Sequence, residues 1–321
     1  MKKESKIFIA GHKGLVGSAV LRRLIKEGYK NLILKESSQL DLTNQNSVDV
    51  FFKKKKPEIV ILAAAKVGGI YANSRYPAEF LYKNIMIQSN VIHAAFKNEV
   101  KKFIYLGSSC IYPKKSKQPI KEDYLLKGEL EKTNSSYAVA KISGLMMCKS
   151  YNEQYRNKTD YRCLMPTNLY GPNDNYHNLE SHVIPALIRR IHEAKNKKFK
   201  KVKIWGTGKA KREFLYSDDL ADAIIFLLKI KKEKYKRHIN NQFNIINIGS
   251  GYEYTIKNLA RIIAEVIGFK GTIICDIKKP DGTPRKFLSN KILAKLGWKP
   301  KFNLYQGLKK TYEDYLCNHV K

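Results

Sequence analysis

Short apolar runs alternate with amphipathic helical stretches through the first half of the chain. No other feature of the sequence limits the fold as tightly. Lys6 to Ala10, Asn31 to Leu34, Glu58 to Ala64, Phe103 to Leu106 and Tyr161 to Met165 each read as a buried strand. Between them, Leu15 to Glu27, Ser47 to Lys55, Ala78 to Phe96 and about Ser136 to Tyr155 follow the helical period. Continuous apolar runs suit strands covered on both faces. A helix after each strand implies right-handed crossovers and parallel pairing. The expected fold class is α/β, a doubly wound parallel sheet.

After Pro166 the rhythm changes. Loops lengthen around Gly171-Pro172, Gly206, Gly208 and the 280–284 segment. Helical patterns persist at Val183 to Ala194, Asp219 to Leu228, Ile256 to Ile267 and Asn290 to Leu296. A length of 321 residues suits about two domains at roughly 150 residues each. We therefore expect a sheet domain over residues 1–168 and a smaller mixed α/β domain over 169–321. Phe243 to Ile248 reads as one more buried strand, so a segment of about 214–248 is expected to return to the first domain.

Only four apolar residues separate the Lys-rich start from Gly11 and His12, too few for a secretory signal. No apolar stretch is long enough to span a bilayer, so a cytoplasmic protein without membrane contact is expected. The five cysteines are scattered, with no CxxC pair, which speaks against a disulfide framework or a metal site. The formal net charge is +33. Its lysines fall in short dispersed runs at Lys53 to Lys56, Lys195 to Lys201 and Lys231 to Arg237. Nucleic-acid arms cluster charge in blocks, so these runs read as solvated faces and no nucleic-acid partner is expected. A phosphate-bearing small molecule also suits a basic protein.

Two spacings carry chemistry. Gly11, His12, Lys13, Gly14, Leu15, Val16 and Gly17 follow the first strand and open the first helix. Such glycines permit a tight turn and let a pyrophosphate rest on the helix N-terminus. Tyr137 and Lys141 are one helical turn apart, and a nearby ammonium lowers a phenol's pKa. Spacing alone says little in a chain with 20 tyrosines and 61 Lys and Arg, and Tyr305 repeats it with Lys309. Tyr137 is singled out by its helix, which follows strand four. That strand ends in Gly107-Ser108-Ser109-Cys110, where doubly wound sheets bind ligands.

The glycine turn, the serine after strand four and the Tyr-xxx-Lys pair resemble the extended short-chain dehydrogenase/reductases, a Rossmann-type family. The blocks Ala63 to Ile70, Gly107 to Pro113, Met165 to Pro172, Ser181 to Leu187, Arg212 to Leu215 and Lys279 to Lys286 extend the likeness over nearly the whole chain. Among these enzymes, the block around Cys110 resembles the bifunctional nucleotide-sugar epimerase/reductases. The resemblance implies 3,5-epimerisation of GDP-4-keto-6-deoxy-D-mannose, then NADPH-dependent 4-reduction to GDP-L-fucose. It assigns Cys110 as base, His182 as acid, Tyr137 as proton donor to the carbon 4 oxygen, Lys141 as its support and Ser108 as carbonyl ligand. His177 is the alternative acid. Cofactor contacts are implied for Gly11 to Gly17, Lys35, Asp41, Leu106, Gly107, Ser108, Ser109, Tyr137, Lys141, Pro166, Thr167, Asn168, Leu169 and His182. Arg190, Trp205, Arg212, Asp281 and Lys286 match positions that contact the GDP part, which makes 169–321 mainly a substrate-binding domain.

Lys13 and Lys35 suit a 2′-phosphate, so NADPH is expected over NADH. Glu36 and Ser37 depart from the family, which usually places an arginine there. A homodimer through the two long helices after strands three and four is implied. Two other readings stand beside this one. A sibling 4,6-dehydratase or 4-epimerase is the nearer rival, and Cys110 speaks against it, since a dehydratase of this fold expects an acidic residue close to that place. A non-catalytic, dinucleotide-dependent nucleic-acid regulator would not need the catalytic set.

Overall fold

The computed structural model describes residues 1–156, 158–178, 180–239, 241–279 and 281–320. Pro280, at the head of the 280–284 segment, lies outside them. The first half builds β1 (Ile7–Ala10), α1 (Leu15–Lys26), β2 (Leu32–Ile33), α2 (Gln45–Lys55), β3 (Ile59–Leu62), α3 (Ile70–Arg75), α4 (Pro77–Lys97), β4 (Lys102–Leu106), α5 (Ser135–Gln154) and β5 (Tyr161–Pro166). The second half adds β6 (Asn168–Tyr170), α6 (Val183–Asn196), β7 (Lys201–Trp205), β8 (Lys211–Tyr216), α7 (Ser217–Lys229), α8 (Lys232–His238) and β9 (Ile245–Ile248). It ends with β10 (Glu253–Thr255), α9 (Ile256–Ile267), β11 (Thr272–Asp276), β12 (Arg285–Lys286), α10 (Lys291–Leu296) and α11 (Leu304–His319).

Six strands form one parallel sheet in the order β2-β1-β3-β4-β5-β9. The chain steps from β1 outward to β2, then returns past β1 to β3. The strand order therefore reverses at β1 and β3, and the crevice beyond their carboxyl ends is the natural ligand site of such a sheet. Every residue of β1 and β3 is buried, as continuous apolar runs demand. Phe8, Val60, Phe103, Tyr105 and Met165 pack on the face covered by α2, α4 and α5. Ile7, Ile9, Ile61, Ile104 and Leu164 pack on the opposite face with Val20 and Leu24 of α1 and Leu220, Ile224 and Leu227 of α7.

The second half encloses a third core, with Ile184, Ile188, Ile204, Phe214, Ile263 and Leu308 drawn from α6, β7, β8, α9 and α11. Strand β8 pairs with β6, β10 and β12, and β7 pairs with β11. The return to the main sheet begins at α7 and ends in β9, and residues 214–216 pair within β8 instead. These short strands escape a reading for apolar runs. In β7 exposed and buried residues alternate, and its two outer lysines merge with the charged run before it. The run Lys231 to Arg237, read as solvated, folds as α8 because Tyr235 anchors it in the core. Helix α11 has a full capping box, Asn303 with Gln306.

Candidate active site

The turn after β1 has the shape a dinucleotide needs. Gly11 has φ +83°, and a Cβ there would lie 2.7 Å from the Ala64 amide nitrogen. A Cβ on Gly17 would collide with the Gly11 carbonyl oxygen. Helix α1 begins with no side-chain cap and no acid in its first turn. Its orphan N–H groups thus stay open to an anion. His12 Nδ1 beside them is buried without a hydrogen-bond partner. These groups fit the pyrophosphate of a dinucleotide. At the adenosine end, Lys13 Nζ lies 2.6 Å from Glu36 Oε1, both exposed. Lys35 stands next to that pair. The Asp41 carboxylate accepts from the Thr43 N–H and hydroxyl at 2.8 and 2.7 Å.

The catalytic candidates converge beyond β4. A Cβ on Gly107 would press on the end of the buried Met165 side chain across the sheet, which would have to shift. Ser108 Oγ accepts from the Cys110 N–H at 3.2 Å and caps the single helical turn Ser109–Ile111. That turn lifts the half-buried Cys110 to the rim of the cleft. Tyr137, in the first turn of α5, hydrogen-bonds Ser108. Its ring stands edge-on to Phe80 at 6.2 Å. Lys141 is 5% exposed, and its Nζ donates to the Leu106 carbonyl at 2.9 Å.

The electrostatics correct one expectation. Lys141 does not depress the Tyr137 phenol. Burial pushes that phenol well up, Cys110 adds to the rise, and only the Ser108 hydrogen bond opposes it. Burial is the larger effect: Lys141 Nζ lies 5.9 Å from the Tyr137 ring centre and donates to the Leu106 carbonyl rather than to the phenol. Burial also lowers Lys141 itself to about 8.

His182 caps the start of α6 in extended geometry. The residue as a whole keeps solvent contact, while burial holds the imidazole below the usual histidine pKa. His177 sits in the preceding exposed loop, where its N–H donates to Asn175 Oδ1 at 2.9 Å. Trp205 is 54% exposed at the end of β7, so it is no core residue, and Lys279 Nζ lies 5.7 Å from its ring centre. Asp281 accepts from the Thr207 N–H and hydroxyl at 3.0 and 2.8 Å, clasping the turn after Trp205. Arg190 donates to the Lys203 carbonyl at 2.8 Å. Burial lowers both Arg190 and Arg212, and Cys110 partly offsets this at Arg212. Lys286 lies beside Cys110, with Nζ to Sγ at 3.8 Å.

Several supporting residues escape a motif reading. Tyr105 donates to Gln88 Oε1 at 2.7 Å and hydrogen-bonds the Lys141 carbonyl at 3.0 Å. Gln88 in turn donates to the Ala140 carbonyl at 2.5 Å and to Ser143 Oγ at 2.9 Å. This network fixes the turn of α5 that carries Lys141. Asn84, one turn earlier on α4, holds the backbone of Lys66 from both sides at 2.9 Å. Polar side chains in register with Phe80 on a core-facing stripe were the available signal. Glu213 is fully buried and accepts from the Gly251 and Leu288 N–H groups at 2.8 and 3.1 Å. It joins the ends of β8 and β9 to the segment bearing Lys286.

Known proteins resemble this chain along its whole length. GDP-L-fucose synthase 1 of Arabidopsis thaliana is 54% identical over 98% of this chain and 94% of its own. GDP-L-fucose synthase of Escherichia coli (strain K12) is 50% identical over 98% of each chain. Among solved structures, a GDP-mannoheptose C4 reductase from Campylobacter jejuni with NADP bound is 42% identical. It superimposes with a TM-score of 0.89 over 98% of this chain and 99% of that one. The model of the NAD dependent epimerase/dehydratase family matches residues 7–249, and the chain belongs to that family.

Proposed function

We propose that this chain is an NADP(H)-dependent epimerase/reductase that converts GDP-4-keto-6-deoxy-D-mannose into GDP-L-fucose. The observation that carries the reading is the convergence of Ser108, Cys110 and Tyr137 beyond β4, with Lys141 directly beneath them. Full-length likeness to the plant and bacterial synthases supports it. A cysteine at the catalytic rim distinguishes it from a dehydratase, which would need an acidic residue there.

The 4-keto group acidifies the hydrogens on carbons 3 and 5. Cys110, as thiolate, takes one of these protons, and the electron pair moves onto the carbon 4 oxygen. Ser108 donates to that oxygen and stabilises the enolate. His182 returns a proton to the opposite face, which inverts the carbon. Cys110 then releases its proton to solvent and His182 takes one up, and the same steps at the second carbon complete the epimerisation. The hydride for carbon 4 comes from the reduced nicotinamide when NADPH is bound. Tyr137 donates the proton that the carbon 4 oxygen then needs. Lys141 supports that donor by tying the turn of α5 that carries both residues to the Leu106 carbonyl at the end of β4. Arg190, Arg212, Trp205 and Asp281 would receive the GDP part, since guanidinium forks match diphosphate oxygens.

A homodimer through α4 and α5 belongs to the same proposal. Tyr82 of α4 and Val139 of α5, 62% and 46% exposed, are the apolar side chains such an interface would cover. Among the described residues no helix is long and apolar enough to cross a membrane. A reducing compartment such as the cytosol would keep Cys110 a free thiol. Incubation with the 4-keto sugar nucleotide and NADPH, followed by NMR of the sugar, tests the activity. The L-galacto configuration is expected. An unepimerised GDP-6-deoxyhexose would show a plain reductase, and no NADPH oxidation would refute both.

A further inference from the structure

Lys286 matches a position that the resemblance gives to the GDP part, but its ammonium lies against Cys110. Its Nζ lies 3.8 Å from Cys110 Sγ. The contact is held rather than casual. Lys286 stands opposite Arg212 in the β12–β8 pairing. The Lys211 N–H donates to the Pro284 carbonyl at 2.8 Å, and the Phe287 N–H donates to Gln118 Oε1 at 2.9 Å. The Ile120 N–H donates to the Phe287 carbonyl at 2.7 Å, and the Leu288 N–H to Glu213 Oε2 at 3.1 Å. The backbone is thus ordered on both sides of Lys286, which fixes where its side chain leaves the strand, beside Cys110.

The surroundings leave this cation to the sulfur. Facing Cys110 are Lys286 from β12, Arg212 from β8 and Tyr137 from α5. Lys114, Glu131 and Arg285 line the same narrow cavity. Glu131 is engaged by Lys114 at 3.1 Å and by the Thr283 hydroxyl at 3.3 Å. Arg285 is paired with Glu253 at 2.7 Å. Among the described residues no carboxylate lies within ion-pair distance of Lys286.

A cysteine can deprotonate carbon only as a thiolate, and an adjacent ammonium favours the thiolate. We propose that Lys286 is a positioning residue for epimerisation, its ammonium pairing with the Cys110 thiolate and fixing the direction of the sulfur. This rests on the epimerase/reductase reading. As the carbon–hydrogen bond breaks, an S–H bond forms, the electron pair moves to the carbon 4 oxygen, and Lys286 stays protonated throughout. The role a histidine plays for many catalytic cysteines falls here to a strand lysine.

The test compares wild type, Lys286→Met, Lys286→Gln and Lys286→Arg in the full chain. Iodoacetamide labelling of Cys110 is followed against pH by peptide mass spectrometry, without substrate or cofactor. For Lys286→Met labelling of Cys110 at pH 7 should slow about tenfold, because the thiolate loses its paired ammonium. Lys286→Arg should restore most of the rate. Deuterium exchange at carbons 3 and 5 should show kcat falling at least about fivefold with KM nearly unchanged. If Lys286 serves only the diphosphate, KM rises and the labelling profile stays put, which overturns the proposal. Thermal melts identify a variant that fails to fold, and Lys286→Gln then replaces Lys286→Met. Absence of exchange in wild type would defeat the epimerase reading, while the labelling profile would still decide whether Lys286 acts on Cys110.

Discussion

A thiol and a phenol do different work on a carbon acid, and the two sit within one hydrogen-bonded cluster here. Cys110→Ser replaces an ionisable thiol with a hydroxyl that scarcely ionises near neutrality, so deuterium should no longer enter carbons 3 and 5. The expected loss is on the order of 10²-fold or more, since general base catalysis is removed. Tyr137→Phe should keep much of the exchange but lose most NADPH oxidation. Wild-type exchange in Cys110→Ser would move the base elsewhere, with His177 and His182 the next candidates. Lys141 makes a separate prediction. Its pKa is about 8 in the folded chain against 10.5 for the ordinary group. Between those values the unfolded chain holds a proton that the folded chain lacks, so stability should rise from pH 8 toward 10.5. Below pH 8 the full cost of charging a buried lysine remains. Lys141→Met should lack this rise, which urea melts across that pH range can measure. A third residue-scale prediction concerns Glu36, which holds Lys13 at 2.6 Å. Glu36→Gln frees Lys13 for the 2′-phosphate and should lower KM for NADPH about two- to fivefold, in line with a weak exposed pair. An unchanged KM would place Lys13 outside the phosphate site.

At the scale of elements, α4 and α5 do two jobs. Their shared interior is pinned by Gln88, Ser143 and Tyr105, which sets the turn carrying Lys141. Their outer faces leave Tyr82 and Val139 in solvent. If those faces join two copies, Tyr82→Asp with Val139→Asp should yield monomers in sedimentation velocity while wild type sediments as a dimer. A monomeric wild type at micromolar concentration would count against the interface. These helices were legible because their apolar stripes are long. Strand β8, which carries Arg212 and Glu213, was not, because its first three residues are charged and it pairs with three other strands far apart in sequence. Pairing partners at such separation leave no local periodicity to read.

Across the whole molecule, the charge of +33 is spread over short runs, and one of them turned out to be a helix with a buried tyrosine. Dispersed charge of this kind gives loose, salt-sensitive attraction to polyanions and no built site. Fluorescence anisotropy with duplex DNA and structured RNA should show no tight, sequence-dependent binding at about 150 mM salt. Tight binding there would reinstate a nucleic-acid partner. The sequence alone determined the parallel sheet, the glycine turn, and the placing of Ser108, Cys110, Tyr137 and Lys141 at its carboxyl edge. Buried runs, crossovers and helical spacing are local properties that neighbouring residues impose on one another. Only tertiary structure decided where the charges act. Lys141 turned to a backbone carbonyl, Lys13 paired with Glu36, and Lys286 came from 176 residues away to stand against Cys110. A charge is felt through space and through the burial around it, and neither is written in the order of the chain.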